Sequence, residues 1–269
     1  MARPDDAGGD PRPSPESRHV LGMRVDATSY DDATERVVRW ALAGEHAYVC
    51  VANVHMVMEA HDDPAFREVV NGATLVVPDG MPLVWALKSL GVASASQVRG
   101  ADLVRAVARA AAEVRLPIGL YGGGPEVVAG FADALRAMAP GVDVCLALSP
   151  PFRPLSEAEQ REHLDRLRDA GARIVFVGLG CPKQERWMAA GHGHLRAAMI
   201  GVGAAFDFHA GTLNQAPGCL QRVGLEWLFR VSQEPHRLWR RYARHNPRFV
   251  ALFAAQWLKH PSRVRRRDR

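Results

Sequence analysis

The sequence predicts an α/β fold in which helices cover both faces of a parallel sheet. Short apolar segments alternate with amphipathic segments of helical period along residues 19–218, which is the pattern of strand–helix units in parallel sheets. The predicted strands at residues 47–52 and 173–177 are almost wholly apolar, as expected for strands that are buried on both faces. After residue 218 the strand signals end and basic residues accumulate, which predicts a helical appendage to this core.

Turn and cap residues mark the boundaries of the predicted elements. Pro125 stands in the first turn of a helix, where proline is tolerated, and Pro-Asp-Gly at residues 78–80 ends a strand as a turn signal. In the appendage, one helix is predicted to end before Pro235 and a later helix to restart at Pro247. Strands are predicted at residues 19–25, 47–52, 74–77, 117–121, 142–148, 173–177 and 197–202, and core helices at residues 31–43, 54–60, 64–71, 81–90, 100–113, 125–138 and 156–170.

Length and composition are those of a globular protein that folds without disulfides or metals. The chain of 269 residues suffices for one large α/β domain with an appendage. Its four cysteines lack paired or zinc-like spacing, which is typical of a reducing compartment. No apolar run reaches the roughly 18 residues of a membrane-spanning helix. We expect a cytoplasmic protein with a disordered tail (1–18) that is no signal peptide, an α/β core (19–218) and a basic amphipathic helical appendage (219–269).

The net charge of +5 conceals an uneven distribution of charge. Residues 219–269 contain 13 Lys and Arg against 3 Asp and Glu, whereas the remaining 218 residues contain 21 basic and 26 acidic side chains. An acidic body with a basic appendage indicates an anionic partner for the appendage. The apolar stretch at residues 249–258, with Trp239 and Trp257, favours a membrane surface. A nucleic-acid-binding arm and a solvated face packed on the body or on another subunit are the alternatives.

Polar residues that follow predicted strands are the candidates for chemistry, because ligands of parallel sheets bind at the carboxyl ends of the strands. Asp79 could accept a proton from an attacking hydroxyl group. Asn53 could hydrogen-bond a ligand hydroxyl or amide group, and the planar guanidinium of Arg99 could neutralise a diphosphate. A turn aspartate, a helix-capping asparagine and a solvated surface arginine are the alternatives for these three residues.

The most specific pattern lies at residues 176–187. A buried strand ends at two glycines, Gly178 and Gly180, and the next loop opens into a helix that carries Gln184 and Glu185. Glycines let a backbone approach a ligand closely, and a helix N-terminus offers free N–H groups to an anion. The three glycines at residues 122–124 are a weaker signal of the same kind. These features indicate a ligand at the carboxyl edge of the sheet.

The string Gly-Leu-Gly-x-Pro-Lys-Gln-Glu-x-Trp at residues 178–187 closely resembles the signature of the WecG/TagA/CpsF family of bacterial glycosyltransferases. The resemblance extends from about residue 21 to residue 242. It implies a Rossmann-like core with a C-terminal helical appendage that helps to close the active site. Further segments agree in the same order, at residues 77–80, 99–103, 203–211 and 225–230.

The resemblance implies an inverting, metal-independent transferase that acts in cell-surface polysaccharide assembly. It would move an N-acetylmannosamine-type sugar from UDP to a polyprenyl-diphosphate-linked saccharide. No cofactor and no metal are expected, since the UDP-sugar is itself the donor substrate. Asp79 matches the catalytic base. The residues expected to bind substrates are Asn53, Gly80, Arg99, Gly122, Gly123, Gly180, Gln184, Glu185, Arg230, Arg237 and Arg240.

Two positions depart from the family pattern. The family usually has Thr-x-Asn where this chain begins the triplet with Val51, and Arg-Ala-Pro where this chain begins it with Gln215. The first change removes a hydroxyl group from the expected pocket and the second removes a cation. Because unpaired polar groups discriminate strongly between substrates, both changes bear on the identity of the donor sugar.

The expected partners are a UDP-sugar, a lipid-linked saccharide and the inner face of the cell membrane; nucleic acid is not expected, and a homo-oligomer is left open. An NAD-dependent oxidoreductase is disfavoured, because the chain lacks a Gly-x-Gly-x-x-Gly fingerprint followed by a ribose-binding acid. Two non-catalytic alternatives remain, namely a catalytically degenerate family member and a basic-tailed binding module.

Overall fold

The computed structural model describes residues 12–222 and 224–260 of the chain. Its strands are β1 (Ser17–Val20), β2 (Met23–Asp26), β3 (Ala47–Ala52), β4 (Leu75–Pro78), β5 (Ile118–Gly122), β6 (Val144–Leu148), β7 (Ile174–Gly178) and β8 (Ala198–Gly201). Its helices are α1 (Tyr30–Ala43), α2 (Val54–Asp62), α3 (Pro64–Asn71), α4 (Met81–Ser89), α5 (Gly100–Glu113), α6 (Pro125–Met138), α7 (Glu157–Asp169), α8 (Lys183–Gly191), α9 (Ala205–His209), α10 (Gly218–Arg222), α11 (Glu226–Gln233) and α12 (Pro235–Leu258).

Six strands form a parallel sheet in the order β4-β3-β8-β7-β5-β6. Next to the edge strand β4, Val49 of β3 pairs with Leu75 of β4 on one side and with Ile200 of β8 on the other. Helices flank the sheet, and the C-terminal segment of the described chain is helical. The predicted Rossmann-like α/β fold with a helical appendage is therefore confirmed.

The sheet is buried on both faces, as its apolar strands require. All six residues of β3 are buried. Tyr48 and Cys50 of this strand pack into a cluster that includes side chains of α2, α3 and α8. Val49 and Val51 point to the opposite face and pack with α1, α5 and α6. Because both faces are covered, the strand ends are the part of the sheet where a ligand can meet backbone and loop groups.

Caps explain where several core helices begin and end. The Asp63 carboxylate accepts hydrogen bonds from the backbone N–H groups of Ala65 and Phe66 at 2.9 and 3.1 Å, just before α3. Ser156 and Glu159 form a reciprocal capping box at the start of α7. Gly44 follows α1 in the left-handed conformation, and its N–H donates to the last carbonyl oxygens of the helix. These caps satisfy helix-end groups that would otherwise lack partners.

The N-terminal region differs from its prediction in two respects. The single strand predicted at residues 19–25 is wrong, because Leu21 and Gly22 adopt positive φ angles of 52° and 90° and form a two-residue hairpin turn between β1 and β2. Residues 12–18 of the predicted disordered tail are ordered. Arg36 donates to the Pro13 carbonyl oxygen at 2.9 Å, and Ser17 begins β1. Residues 1–11 of that tail lie outside the described chain.

The appendage also differs from its prediction, because α12 runs through Pro247 without a break. Proline removes one helix hydrogen bond, at a cost of about 3 kcal/mol in a helix interior. Contacts with the body offset this cost. Arg248 forms a two-pronged ion pair with Asp62 at 2.7 and 2.8 Å, and the Gln256 amide contacts the β1–β2 hairpin at His19 and Leu21. The apolar residues of α12 thus divide between a face on the body and an exposed face.

Close approach of β5 and β7 depends on glycine at the strand ends. Gly122 has a φ of 137°, and a Cβ atom placed on it would lie 2.5 Å from the carbonyl carbon and oxygen of Gly178. A Cβ atom on Gly178 would in turn lie 2.5 Å from the Phe206 ring. The backbone of one strand end therefore fills the space that a side chain on the other would need.

We predict that Gly122→Ala lowers the free energy of unfolding by about 2–4 kcal/mol, because it combines backbone strain with a backbone clash that cannot relax. Gly124→Ala is the matched control: Gly124 has an ordinary φ of −75° and open space around it, so the change is expected to be below about 1 kcal/mol. Urea unfolding of both variants measures the difference. Equal stabilities would contradict this account of the β5–β7 contact.

Candidate active site

The carboxyl ends of the parallel strands bring most of the predicted site residues to one edge of the sheet. Asn53 and Asp79 follow the neighbouring strands β3 and β4, and Gly80 lies beside Asn53. Gly122 ends β5, and Gly180 lies in the loop after β7. The α11–α12 part of the appendage reaches the β4 end of this edge. The sequence-based expectation of a site at the carboxyl edge fits this arrangement.

Backbone contacts hold Asp79 in place on three sides. Its N–H donates to the Ala52 carbonyl oxygen of β3 at 2.8 Å, and the Gln97 side chain donates to its carbonyl oxygen at 2.6 Å. The carboxylate oxygen Oδ1 accepts a hydrogen bond from the N–H of Gly100, the first residue of α5, at 3.0 Å. The carboxyl group therefore has one fixed donor and a defined orientation at the end of β4.

The surroundings of Asp79 raise the pKa of its carboxyl group to about 7. Burial is the largest cause, and the nearby negative charge of Glu226 raises the pKa further. The Gly100 hydrogen bond and the positive charges of Arg230 and Arg99 act in the opposite direction. A carboxyl group with a pKa near the working pH can both take up and release a proton, which suits a general base.

Arg99 is held by groups from the core and from the appendage. Its guanidinium pairs with Asp102 at 3.1 Å, and its backbone N–H donates to the Tyr30 hydroxyl at 3.0 Å. The same guanidinium donates to the side-chain oxygens of Gln221 and, at 3.3 Å, of Gln215. Only a small part of the Arg99 side chain is exposed, so it is not the solvated surface arginine that was its alternative.

The two departures from the family pattern, Val51 and Gln215, lie close to Gly100 and Arg99. Gln215 gives Arg99 a neutral acceptor, where an arginine would place a second cation beside the first. Val51 is buried in the core, and its methyl group would lie 3.4 Å from a Cβ atom on Gly100, the residue that binds Asp79. Both departures therefore alter the immediate surroundings of the Asp79–Arg99 region.

Asn53 caps helix α2, which was its alternative role, and its side-chain NH₂ group is not used by that cap. Its side-chain oxygen accepts a hydrogen bond from the Met56 N–H at 3.2 Å and caps α2. This bond directs the oxygen toward the helix and leaves the NH₂ group as the donor that a ligand could meet. The asparagine is half-buried, so this group is accessible at the edge of the sheet.

Gln184 and Glu185 lie inside the protein, although both are polar residues in the first turn of α8. The Gln184 side-chain oxygen accepts from the Gly180 N–H at 3.1 Å, and its NH₂ group donates to Glu185 at 2.7 Å. Glu185 is fully buried, and burial raises the pKa of its carboxyl group to about 7. In the structure Gln184 therefore fixes the glycine loop after β7, and Glu185 fixes Gln184.

The predicted appendage arginines occupy different environments. Arg230 lies near enough to lower the pKa of Asp79, and its guanidinium stands 5.6 Å from the centre of the Phe208 ring. Arg240 is exposed on α12, and no contact of it with Asp79 or Arg99 is seen in the described part of the chain. The side chain of Arg237 lies outside the described structure. Arg230 is thus the appendage cation that the structure brings to the site.

Comparison with known families shows to which family the chain belongs. The sequence model of the Glycosyl transferase WecG/TagA/CpsF family matches residues 18–263. The chain belongs to the WecG/TagA/CpsF glycosyltransferase family. Membership implies a glycosyltransferase of cell-surface polysaccharide synthesis that uses a sugar donor and a lipid-linked acceptor.

Two groups of residues near or beside the site of this WecG/TagA/CpsF protein were not predicted from its sequence. Glu226 lies in a segment that carried the family resemblance, yet its effect on Asp79 depends on how α11 folds back and has no local signal. Three side chains at the contact of α2 and α12, namely His55, Glu59 and His245, also come together. Their separation along the chain conceals this cluster.

Proposed function

We propose that this protein transfers a sugar, with inversion and without a metal, from a UDP-sugar to a hydroxyl group of a polyprenyl-diphosphate-linked saccharide. N-acetylmannosamine is the sugar type that the family resemblance favours. In this proposal the Asp79 carboxylate removes the proton of the acceptor hydroxyl as that oxygen attacks the anomeric carbon. The carbon–oxygen bond to UDP breaks, and UDP departs with the bonding electron pair.

The observation that carries the proposal is the environment of Asp79. Its carboxyl group stands at the carboxyl end of β4, has a pKa of about 7, and lies within the electrostatic reach of Arg99 and Arg230 from two separate elements. A base and two cations in one place match a reaction in which a proton leaves the acceptor while negative charge develops on a diphosphate.

The division of roles follows from the partners of each residue. Arg230 is the cation best suited to the leaving diphosphate, because it acts on Asp79 electrostatically and its guanidinium stands against the Phe208 ring. The Asn53 NH₂ group and the backbone near Gly80, Gly122, Gly123 and Gly180 would contact the nucleotide and sugar. Gln184 and Glu185 would act through the position of Gly180. In this proposal arginine side chains stabilise the charge of the leaving diphosphate.

A catalytically degenerate protein is the second candidate, and the departures at Val51 and Gln215 are the observations that favour it. It would bind UDP but transfer no sugar. The two candidates share a site and differ in turnover alone, so one assay separates them.

The test is sugar transfer to a synthetic prenyl-diphosphate-sugar acceptor from a panel of UDP-sugars, in the presence of EDTA. We predict transfer from one donor by the wild type and a loss of about 10²–10⁴-fold in Asp79→Asn, the usual contribution of a general base.

Arg230→Gln is expected to reduce transfer by about 10²–10³-fold, as for loss of one charge-stabilising donor. Arg136→Gln, an exposed arginine near the far end of α6, is the matched control and is expected to be unchanged.

Each outcome has a distinct meaning. Full activity of Asp79→Asn would remove Asp79 from the mechanism. UDP binding without transfer from any donor would favour the degenerate protein, and absence of UDP binding would reject the proposal.

We further propose that α12 rests on the inner face of the cell membrane. Its exposed face combines Arg240 and Arg244 with apolar residues, and Trp239 and Val250 are 64% and 66% exposed. Such a face suits the boundary between lipid headgroups and acyl chains. Within the described residues no helix is both long and apolar enough to cross a membrane. A surface-bound helix would bring the site to a lipid-linked acceptor.

Cosedimentation with phosphatidylglycerol and phosphatidylcholine vesicles tests this proposal. We predict stronger binding to the anionic vesicles and a loss of about 2 kcal/mol in the double variant Arg240→Gln, Arg244→Gln, at roughly 1 kcal/mol for each basic residue. The double variant Arg136→Gln, Arg168→Gln removes the same charge from the body and serves as the control. Equal binding to both vesicle types, or equal loss in both double variants, would contradict the membrane role of α12.

A further inference from the structure

Two histidines and a glutamate meet where α12 packs on α2, outside the group of residues assigned to sugar transfer. The His55 Nδ1 atom and the His245 Nε2 atom each lie 3.7 Å from the Glu59 Oε1 atom. The two imidazole rings stand edge to face with their centres 5.2 Å apart. One ring nitrogen of each histidine and one carboxylate oxygen all lie within 4.8 Å of one another. His245 is buried, so its ring is enclosed at this contact.

One nitrogen of each ring is left without a hydrogen-bond partner. Among the described residues, both His55 Nδ1 and His245 Nδ1 are buried without a hydrogen bond. The His55 Nδ1 atom is also the one that faces Glu59, so it can present a lone pair to the cluster when the ring is neutral. A lone pair that faces a carboxylate without a proton between them is unfavourable. A shared cation would remove this conflict.

The donor set suits a zinc ion. Zinc binds neutral imidazole nitrogen and carboxylate oxygen, and its bonds of about 2.0–2.2 Å place tetrahedral ligands roughly 3.4 Å apart. The two histidine–glutamate separations are 3.7 Å and the two histidine nitrogens lie within 4.8 Å of each other, so zinc binding requires α2 and α12 to close by about an ångström. His55 and Glu59 stand four residues apart and therefore share one face of α2. The backbone at Cys181 lies beside the His55 ring as a further hydrogen-bonding group, and such groups commonly orient metal-bound histidine.

Arginine side chains near the cluster disfavour a bound cation electrostatically but do not occupy the position between the three ligands. Arg241 lies close enough to His55 to act on it electrostatically. Arg248, on the next turn of α12, is engaged by Asp62. The Glu59 carboxylate neutralises one of the two positive charges of a zinc ion. The neighbouring arginine lowers the affinity for zinc, and the burial of the ligands raises it.

We propose that His55, Glu59 and His245 bind one zinc ion that fastens α12 to α2. The three side chains leave a fourth position for a water molecule. The ion joins α2 of the core to α12 of the appendage, so it stabilises the docked position of the appendage. Its role is structural. The inference does not depend on the proposed sugar transfer, and the two can fail separately.

The test is zinc titration of the full chain without an affinity tag, after removal of metal with EDTA and exchange into metal-free buffer. Calorimetry is expected to show one zinc ion per chain, and thermal unfolding is expected to shift to higher temperature on addition of zinc. His245→Gln and His55→Gln are expected to weaken zinc binding by more than about 100-fold, since loss of a ligand exceeds the usual effect of a second-shell change. His236→Gln, an exposed histidine in the first turn of α12, is the matched control and should bind like the wild type.

Folding of the variants is monitored in the metal-free state, where their unfolding temperatures should equal that of the metal-free wild type. Absence of a saturable zinc site in the wild type would overturn the proposal. Unchanged zinc affinity in His245→Gln would also overturn it, because the ion would then bind elsewhere.

Discussion

Charged groups of the core and of the appendage act together on the pKa of the Asp79 carboxyl group. The core supplies the Gly100 N–H and the Arg99 guanidinium, and α11 supplies Glu226 and Arg230. Burial and Glu226 favour the protonated acid, whereas the hydrogen bond and the arginines favour the carboxylate. The pKa of Asp79 therefore reflects groups of the core and groups of the appendage together.

The opposite end of the same sheet edge is organised by buried polar and glycine contacts. Gly122 and Gly178 approach too closely for any side chain, and Phe206 packs against Gly178. Gln184 holds the Gly180 backbone and is itself held by the buried Glu185. Contacts within the protein thus hold the backbone of the glycine loops, since the Gly180 N–H donates to Gln184 and the Gly123 N–H donates to the Gly178 carbonyl oxygen at 3.2 Å.

Elements with strong local signals could be predicted from the sequence, and elements decided by tertiary contacts could not. The bounds of β3, α3, α5 and α6 agree with prediction because apolar period, prolines and caps define them. The hairpin turn was missed because Leu21 takes a positive φ, and α12 continues past Pro247 because docking offsets the lost bond. Asp79 could be placed from its strand end, and Arg99 from its motif at residues 99–103. The burial of Glu185, the effect of Glu226 on Asp79 and the contact of His245 with His55 arise only when distant segments pack.

The pKa of the Asp79 carboxyl group, measured by carboxyl-carbon NMR in the wild type and in Glu226→Gln, tests the central claim most directly. We expect a pKa of about 7 for Asp79 in the wild type, with the carboxyl group protonated below that pH. We expect a lower pKa when the Glu226 charge is removed. An ordinary pKa near 3.8, or a raised pKa that is unaffected by Glu226→Gln, would contradict it and would separate the appendage from the site.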